Sequence, residues 1–328
     1  MSISPPGEGL VHLSAGTPDP AAPKASTWPR LKRELYRYRH CYLLLLPAVI
    51  FFIVFHYRPM YGAIIAFKDY RIVDGVMGSP WAGFKHFEWL FGGYFFLRVL
   101  KNTLIISAYR IAFGFPAPIL LALLLNAVRH LGFKKMVQSV SYLPHFMSWV
   151  ILGGIVSQML HPTHGVVNDI VALLGGERRL FLGDPRLFRG ILIGTDIWQS
   201  VGWGSIVYLA AIASIDTEQY EASIIDGANG FAQARYITIP SIMPVIAIMF
   251  ILRLSGIMSA GFDQIFNLYN PLVYEVADII DTYVYRTGIQ KYAYSQAAAV
   301  GLFKNVIGLA AVLSAHAVVR RFGEYGLW

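Results

Sequence analysis

The 328-residue chain is 56% hydrophobic and 14% charged, with a formal net charge of +8. That balance is too apolar for a water-soluble globule and leaves little of the chain for an extramembrane domain. The basic residues cluster beside apolar runs rather than along one stripe, which argues against a nucleic-acid surface and for a topology signal. The single cysteine, Cys41, rules out an internal disulfide.

Residues 1–29 carry Pro5, Pro6, Pro18, Pro20, Pro23 and Pro29 among Gly, Ser and Ala, and read as a disordered cytoplasmic tail. Arg30-Leu31-Lys32-Arg33, with Arg37 and Arg39, leads into a first apolar run near 41–57. This run is longer than most signal-peptide cores and no A-x-A cleavage site follows, so a retained signal-anchor helix is expected. Five more apolar runs lie near 97–128, 136–160, 187–213, 245–266 and 294–319. Each is close to the roughly 20 residues that cross about 30 Å of hydrocarbon. The expected fold is an all-α integral membrane domain over 30–328 with about six transmembrane helices.

Orientation follows from Lys and Arg near the span ends. The N-terminal flank, the turn holding Arg129, Lys134 and Lys135, and the Arg320-Arg321 pair all fall on one side of a six-span chain. Both termini are therefore expected in the cytoplasm, with Arg178, Arg179 and Arg186 a minority vote against. The loop 214–244 is then cytoplasmic. Asp216 reads as a helix cap, with Gln219 three residues on as a capping-box variant. Glu221, Ala222 and Ile225 share one helical face, and Gly227 suits the left-handed turn that ends such a helix. A second short helix is expected from about Phe231 until Pro240, where the fifth span would begin. The part so formed is a helix–turn–helix hinge with small residues and one carboxylate on its exposed face.

The stretch Tyr220–Pro244 contains Glu221-Ala222-Ser223, then Gly227 after three residues, then Ile237-x-Ile239-Pro240. It resembles the cytoplasmic E-A-A-x3-G-x9-I-x-L-P loop of binding-protein-dependent ABC importer permeases, with Ser and Ile as departures. The resemblance extends over about 31–328. His56-Tyr57-Arg58-Pro59-Met60-Tyr61-Gly62, Asn102-Thr103-Leu104 and Ser141-Tyr142-Leu143-Pro144-His145-Phe146 resemble the carbohydrate branch of that family. So do Tyr269-Asn270-Pro271-Leu272-Val273-Tyr274 and the ending Gly323-Glu324-Tyr325-Gly326-Leu327-Trp328. This branch is the group of polysaccharide and complex-oligosaccharide permeases related to the maltose system, an alginate importer's permease among them.

The resemblance implies a type I importer permease in the bacterial inner membrane that is not itself an enzyme. It implies four kinds of partner: a second, homologous permease, a homodimeric ABC ATPase, a solute-binding protein and an oligosaccharide, alginate being one candidate. It also implies alternating access driven through a coupling helix. Glu221 would pair with a basic residue of the ATPase, Ala222 and Ser223 would pack in its cleft, and Gly227 would make the turn. Asp226, Ala228, Ile237 and Pro240 complete the implied coupling segment. No cofactor is implied for this chain, ATP and Mg being used by the ATPase. The lack of a G-x-x-x-x-G-K-[ST] loop agrees with that division, and no metal or nucleophile motif is present. The close pair His161 and His164 reads as a surface turn.

Ionisable residues inside a membrane are functional candidates by default. Here they are Arg110, Asp196, Arg253, Asp263 and Lys304. Trp198 offers a ring face for a sugar, and Gln199, Asn267 and Tyr269 offer polar groups for the solute path. The alternative for each is pairing with one another, as in Asp196 with Arg253, or with a partner permease. Three basic against two acidic groups is a faint hint of an anionic solute. An ion-gradient-driven secondary transporter is the competing function, and it would require internal repeats that the sequence does not show.

Overall fold

The computed structural model describes residues 36–322, so the tail 1–29, Arg30–Arg33 and the ending Gly323–Trp328 lie outside the described residues. Among the described residues the chain is helical, with one isolated antiparallel bridge between Lys68 and Trp81 and no strand. It divides into two compact units, Met1–Tyr61 and Gly62–Trp328. The expected boundary at 29/30 lies outside the described residues. Helix α1 (Arg39–Phe52) and the turns after it bury none of their residues, so among the described residues of this unit nothing packs across the apolar run. The run forms a 29-residue candidate span, Arg39–Phe67.

After a 3₁₀ turn and the single helical turn Gly75–Gly78, the second unit runs through α2 (Lys85–Gly92), α3 (Tyr94–Tyr109), a π turn Arg110–Gly114 and α4 (Pro116–Ala127). Together the last three make a 34-residue candidate span. Next come α5 (Leu131–Tyr142), α6 (Trp149–Met159), α7 (Val166–Leu173) and the 29-residue α8 (Pro185–Ala213). After these stand α9 (Thr217–Ile225), α10 (Gly230–Gln233), a π turn Ala234–Thr238 and α11 (Ile239–Ser255). The chain closes with α12 (Phe262–Leu268), α13 (Ile280–Tyr285) and α14 (Tyr294–Phe322).

Four of these helical runs are long and apolar enough to span a membrane, or five if one bent pair counts once. Six were expected, and the differences have physical causes. The run 136–160 is not one rod: Leu131–Phe146 and Trp149–Met159 meet at 108°. Pro144 sits in a 3₁₀ turn, Met147 is extended, and the Ser148 side chain caps a new helix. The expected span 187–213 is α8, which is long enough but carries Arg186, Arg189 and Asp196 and falls short on apolarity. The expected span 245–266 is displaced. The span is Gly230–Ser255, and it ends before a non-helical turn at 256–261.

Pro240 therefore does not stop a helix. The π turn Ala234–Thr238 precedes it, and Pro240 occupies the first turn of α11, where its missing N–H and its ring are tolerated.

Three buried clusters hold the second unit together. Ile106, Val156, Phe188, Leu192, Ile265 and Leu268 join α3, α6, α8 and α12. Leu90, Phe96, Val99, Ile280 and Val300 join α2, α3, α13 and α14. Ala122, Tyr208, Ile212 and Ile242 join α4, α8 and α11, and so seat the loop between α8 and α11. Where lipid is as apolar as leucine, close packing rather than water exclusion drives such contacts. Gly202 shows how close: a Cβ there would overlap the Ser141 carbonyl, so only glycine lets α8 cross the end of α5.

Candidate functional site: a coupling hinge and a charged centre

The loop after α8 is a shaped part. The Asp216 carboxylate accepts from the Glu218 N–H at 3.0 Å and starts α9. No reciprocal bond from Gln219 is needed for this cap. Gly227, at φ +80°, ends the helix as the sequence predicted. Its N–H donates to the Ile224 carbonyl at 3.0 Å, and the next N–H, Ala228, donates to the Ser223 carbonyl at 2.9 Å. These two bonds form a Schellman closure. Asn229 then caps α10 by accepting from Ala232 N–H at 2.9 Å, a signal the sequence reading missed.

Two side-chain bonds brace the legs of the hinge. Tyr220 Oη lies 2.9 Å from Thr238 Oγ1, and Gln233 Nε2 donates to Ser223 Oγ at 3.0 Å. The Ser223 hydroxyl also donates to the Tyr220 carbonyl at 2.7 Å. Ser223 is thus half-buried and committed inside the hinge, whereas Glu221, Ala222, Asp226 and Gly227 are exposed. Ala228 and Ile237 are half-buried and Pro240 is exposed on the ascending leg. Ile225 and Phe231, 87% and 75% exposed, add two large apolar side chains to the outer surface. A cavity of about 740 Å³ separates the hinge from the ends of α4 and α8, lined by Asn126, Arg129, Tyr220, Ile224 and Gln233 among others.

The second cluster lies in the helical bundle. One carboxylate, Asp196 on α8, serves two guanidinium groups. Arg110 Nη1 lies 3.1 Å from its Oδ1 and Arg253 Nη2 lies 3.3 Å from its Oδ2. The pairing of Asp196 with Arg253 was anticipated, and Arg110 joins it. The two arginines differ in setting: the Arg110 side chain is 11% exposed and that of Arg253 is 39% exposed. Arg110 also donates to Gln264 Oε1 on α12. Gln264 Nε2 in turn donates to the Leu192 carbonyl and Thr195 Oγ1, both at 2.7 Å. Cavities of about 300 and 290 Å³ flank Arg253, one beside Ser107 and Gly256, the other beside Trp203 and Tyr208.

The remaining solute-path candidates do not join this centre. Trp198 is exposed and Gln199 half-buried on α8. Asp263 is exposed, and Asn267 Nδ2 donates to the Asp263 carbonyl at 2.7 Å. Tyr269 packs on Tyr274, and Lys304 pairs with Asp281 at 2.5 Å. None of these lines either cavity beside Arg253. Gln264 and Trp203 were missed. The amide beside Asp263, in a short helix already marked at Asp263 and Asn267, was the available signal for the first, and none marked the second apart from Trp198.

The segment between α11 and α14 is tied to the bundle by polar bonds. Asp278, 1% exposed, takes both arms of Arg286, at 2.8 and 2.5 Å. Asn102 Nδ2 donates to the Glu275 and Asp278 carbonyls, and Arg189 donates to Asn102 Oδ1 at 2.8 Å. Farther out, His161 and His164 stack in the turn after α6, with Thr163 Oγ1 within 3.1 Å of both rings.

Helical runs of membrane-spanning length, a charge cluster beside two cavities and a braced polar loop fit a multi-pass membrane transport component. Comparison with known proteins agrees. The family described as "Binding-protein-dependent transport system inner membrane component" matches residues 114–324. The chain is 42% identical to Protein LplB of Bacillus subtilis strain 168 over 94% of this chain and 96% of that protein. It is 43% identical to the polygalacturonan/rhamnogalacturonan transport system permease protein YteP of the same organism, over 91% and 93%. In structure it is similar to a chain of a bacterial ABC transporter involved in import of the acidic polysaccharide alginate. The TM-score is 0.84 at 44% identity, covering 90% of this chain and all of that one. A bacterial alginate ABC transporter in complex with an alginate pentasaccharide-bound periplasmic protein gives a TM-score of 0.85, also at 44% identity, covering 91% and 100%. The chain belongs to the binding-protein-dependent transport inner membrane component family and has the ABC importer permease fold. It is the membrane permease component of a carbohydrate ABC importer, and ATP hydrolysis is the work of a partner subunit.

Proposed function

We propose that this permease pairs with a second, homologous permease, a homodimeric ATPase that uses ATP and Mg, and a solute-binding protein, to import an acidic oligosaccharide, alginate or a pectic fragment, by alternating access. The termini lie in the cytoplasm, and the ATPase docks on Glu221–Gly227. The observation that carries this reading is the hinge itself. A capped and cross-braced helix pair transmits displacement, and its outer surface presents the carboxylates of Glu218, Glu221 and Asp226, none in an ion pair among the described residues, with Ile225 and Phe231 also exposed there. A bidentate pair with an arginine of the ATPase would fix its register. Because a bound partner shifts the equilibrium only by favouring one conformation, that rigidity is what lets nucleotide binding reach the helices.

Charge supports an acidic solute. Asp196 offers one negative charge to two arginines, so the centre carries one uncompensated positive charge, on the side where Arg253 opens to two cavities. The solute path then runs past Arg253, Asp196 and Trp203, with Trp198 and Gln199 on the same helix and Asp263, Asn267 and Tyr269 farther along it. The test is Arg253→Met in the reconstituted complex. Uptake of galacturonate oligomers should fall roughly ten- to hundredfold, since a charge-assisted hydrogen bond contributes about 1.5–3 kcal/mol. Uptake of any neutral oligomer that the wild type carries should hold. Equal loss of both would remove Arg253 as a reader of solute charge.

A further inference from the structure

The turn after α13 ends at Tyr292, which has φ +56° and is 70% exposed. Its neighbours close the turn: Lys291 N–H donates to the Arg286 carbonyl at 3.0 Å, and Ala293 N–H to the Thr287 carbonyl at 2.9 Å. Glycine adopts this left-handed position without cost, so an exposed aromatic ring held there is a strained choice that packing does not explain. Tyr292 stands at the rim of a hollow of about 310 Å³ whose other walls include Tyr70, Arg71, Tyr294 and Gln296. The ring of Tyr294 lies 6.4 Å from that of Tyr292 and 5.8 Å from that of Tyr70.

The floor of the hollow is fixed. Ser295 Oγ donates to the Lys68 carbonyl at 2.6 Å and accepts from Tyr70 N–H at 2.9 Å. The Lys68 ammonium, in a residue only 4% exposed, donates to the Val76 and Met77 carbonyls at 2.8 and 3.0 Å. His86 Nε2 lies 3.1 Å from the Lys68 carbonyl and 3.2 Å from Asp69 Oδ1. The Lys85 ammonium, hydrogen-bonded to Asp69, holds that carboxyl below its ordinary range.

The rim, by contrast, is unsatisfied. Among the described residues Arg71 faces only Asp74, at 3.9 Å, and no hydrogen bond engages the Gln296 amide or the hydroxyls of Tyr70, Tyr292 and Tyr294. The hollow lies at the opposite end of the bundle from the coupling hinge. α3 begins just after α2, and the 34-residue run Tyr94–Ala127 then reaches the hinge cavity, a rise of about 50 Å.

We propose that this hollow is an outer saccharide subsite, distinct from the charged centre, which takes one uronate residue of the incoming chain. Tyr292 lies against the sugar ring by its face alone, Arg71 takes the carboxylate, and Gln296 with the hydroxyls of Tyr70 and Tyr294 takes ring hydroxyls. The size suits this ligand. About 300 Å³ is the lower end of small-molecule pockets, while a stable protein interface covers a far larger area. The proposal rests on the reading of the chain as an acidic-oligosaccharide permease.

The test uses the assembled permease–ATPase complex in detergent without binding protein, titrated with a galacturonate tetramer, alongside reconstituted uptake. All titrations are made in the Arg253→Met background, so that the central site does not mask the outer one. Tyr292→Gly should weaken tetramer binding roughly tenfold, with a melting temperature equal to or above its parent because the strain is relieved. Tyr292→Phe should bind as the parent does, and Arg71→Gln should remove the preference for the charged tetramer over a neutral galactose tetramer. Unchanged tetramer affinity in Tyr292→Gly would overturn the subsite. So would loss of binding-protein docking with tetramer affinity intact, which would make this rim a protein contact. If wild-type complex neither imports nor binds any saccharide, the permease reading fails first and the subsite with it. If the wild type imports normally and Tyr292→Gly is indistinguishable from its parent, the subsite alone fails.

Discussion

Glu221→Arg is expected to abolish recovery of the ATPase with the permease, or to leave ATP hydrolysis running without uptake. Glu221 is exposed on α9 and makes no ion pair among the described residues. Its replacement should therefore change the fold's own stability by no more than about 0.5 kcal/mol. The whole effect then falls on the partner. Truncating one member of a hydrogen-bonded interfacial charge pair costs about 2–5 kcal/mol, and reversing its sign adds repulsion. The loss of ATPase affinity should thus reach at least about thirtyfold. Co-purification of tagged permease with its ATPase, together with the melting temperature of the permease alone, checks both halves of the expectation. A fold that melts normally yet no longer retains the ATPase places the fault at the contact. A variant that retains the ATPase and couples normally would remove Glu221 from the docking surface.

Asp196→Asn should produce a large loss of stability in the bundle. Asparagine keeps the shape and removes the charge, so Arg110 is left deep in the structure with only Gln264 for a partner. Removing one member of a buried ion pair typically costs about 3–5 kcal/mol, because the remaining charge is uncompensated. Removing both should cost less. Asp196→Leu combined with Arg110→Met is expected to melt above Asp196→Asn, which thermal unfolding in detergent measures. Arg253 is set apart by its exposure. A half-open pair contributes about 0–1 kcal/mol, so Arg253→Met should scarcely move the melting temperature. The two guanidinium groups on one carboxylate thus differ in setting: Arg110 ties the π turn after α3 to α8 and α12, and the more exposed Arg253 is the one proposed to exchange Asp196 for a solute.

The same contrast shows what the sequence could and could not reveal. Apolar run length gave the helical membrane class directly, because the bilayer imposes a length that hydropathy reports. The hinge was legible as well. Asp216, Gly227 and the small residues between them are local signals whose meaning does not depend on distant contacts. The bend at Met147–Ser148 was missed although Pro144, His145 and Ser148 interrupt the apolar run, because a window as long as a span averages over so short an interruption. Pro240 misled for the opposite reason. Its breaking effect was absorbed by a π turn, and a widened turn leaves no mark in composition. Asp196 and its arginines stood out as charges in apolar segments. Which arginine was structural depended on burial, and burial depends on packing between elements far apart in sequence. Tyr292 carried no signal at all, for left-handed backbone at a tyrosine is set by the turn around it.

The most direct measurement is uptake of a labelled acidic oligosaccharide into proteoliposomes. These would hold this permease, its partner permease and the ATPase, with the solute-binding protein outside and ATP with Mg inside. Ionophores would be present to collapse every ion gradient. The account predicts accumulation that depends on internal ATP and on the binding protein, persists with the ionophores, and is lost in Glu221→Arg. Uptake that ignored ATP and stopped when the gradients collapsed would contradict it.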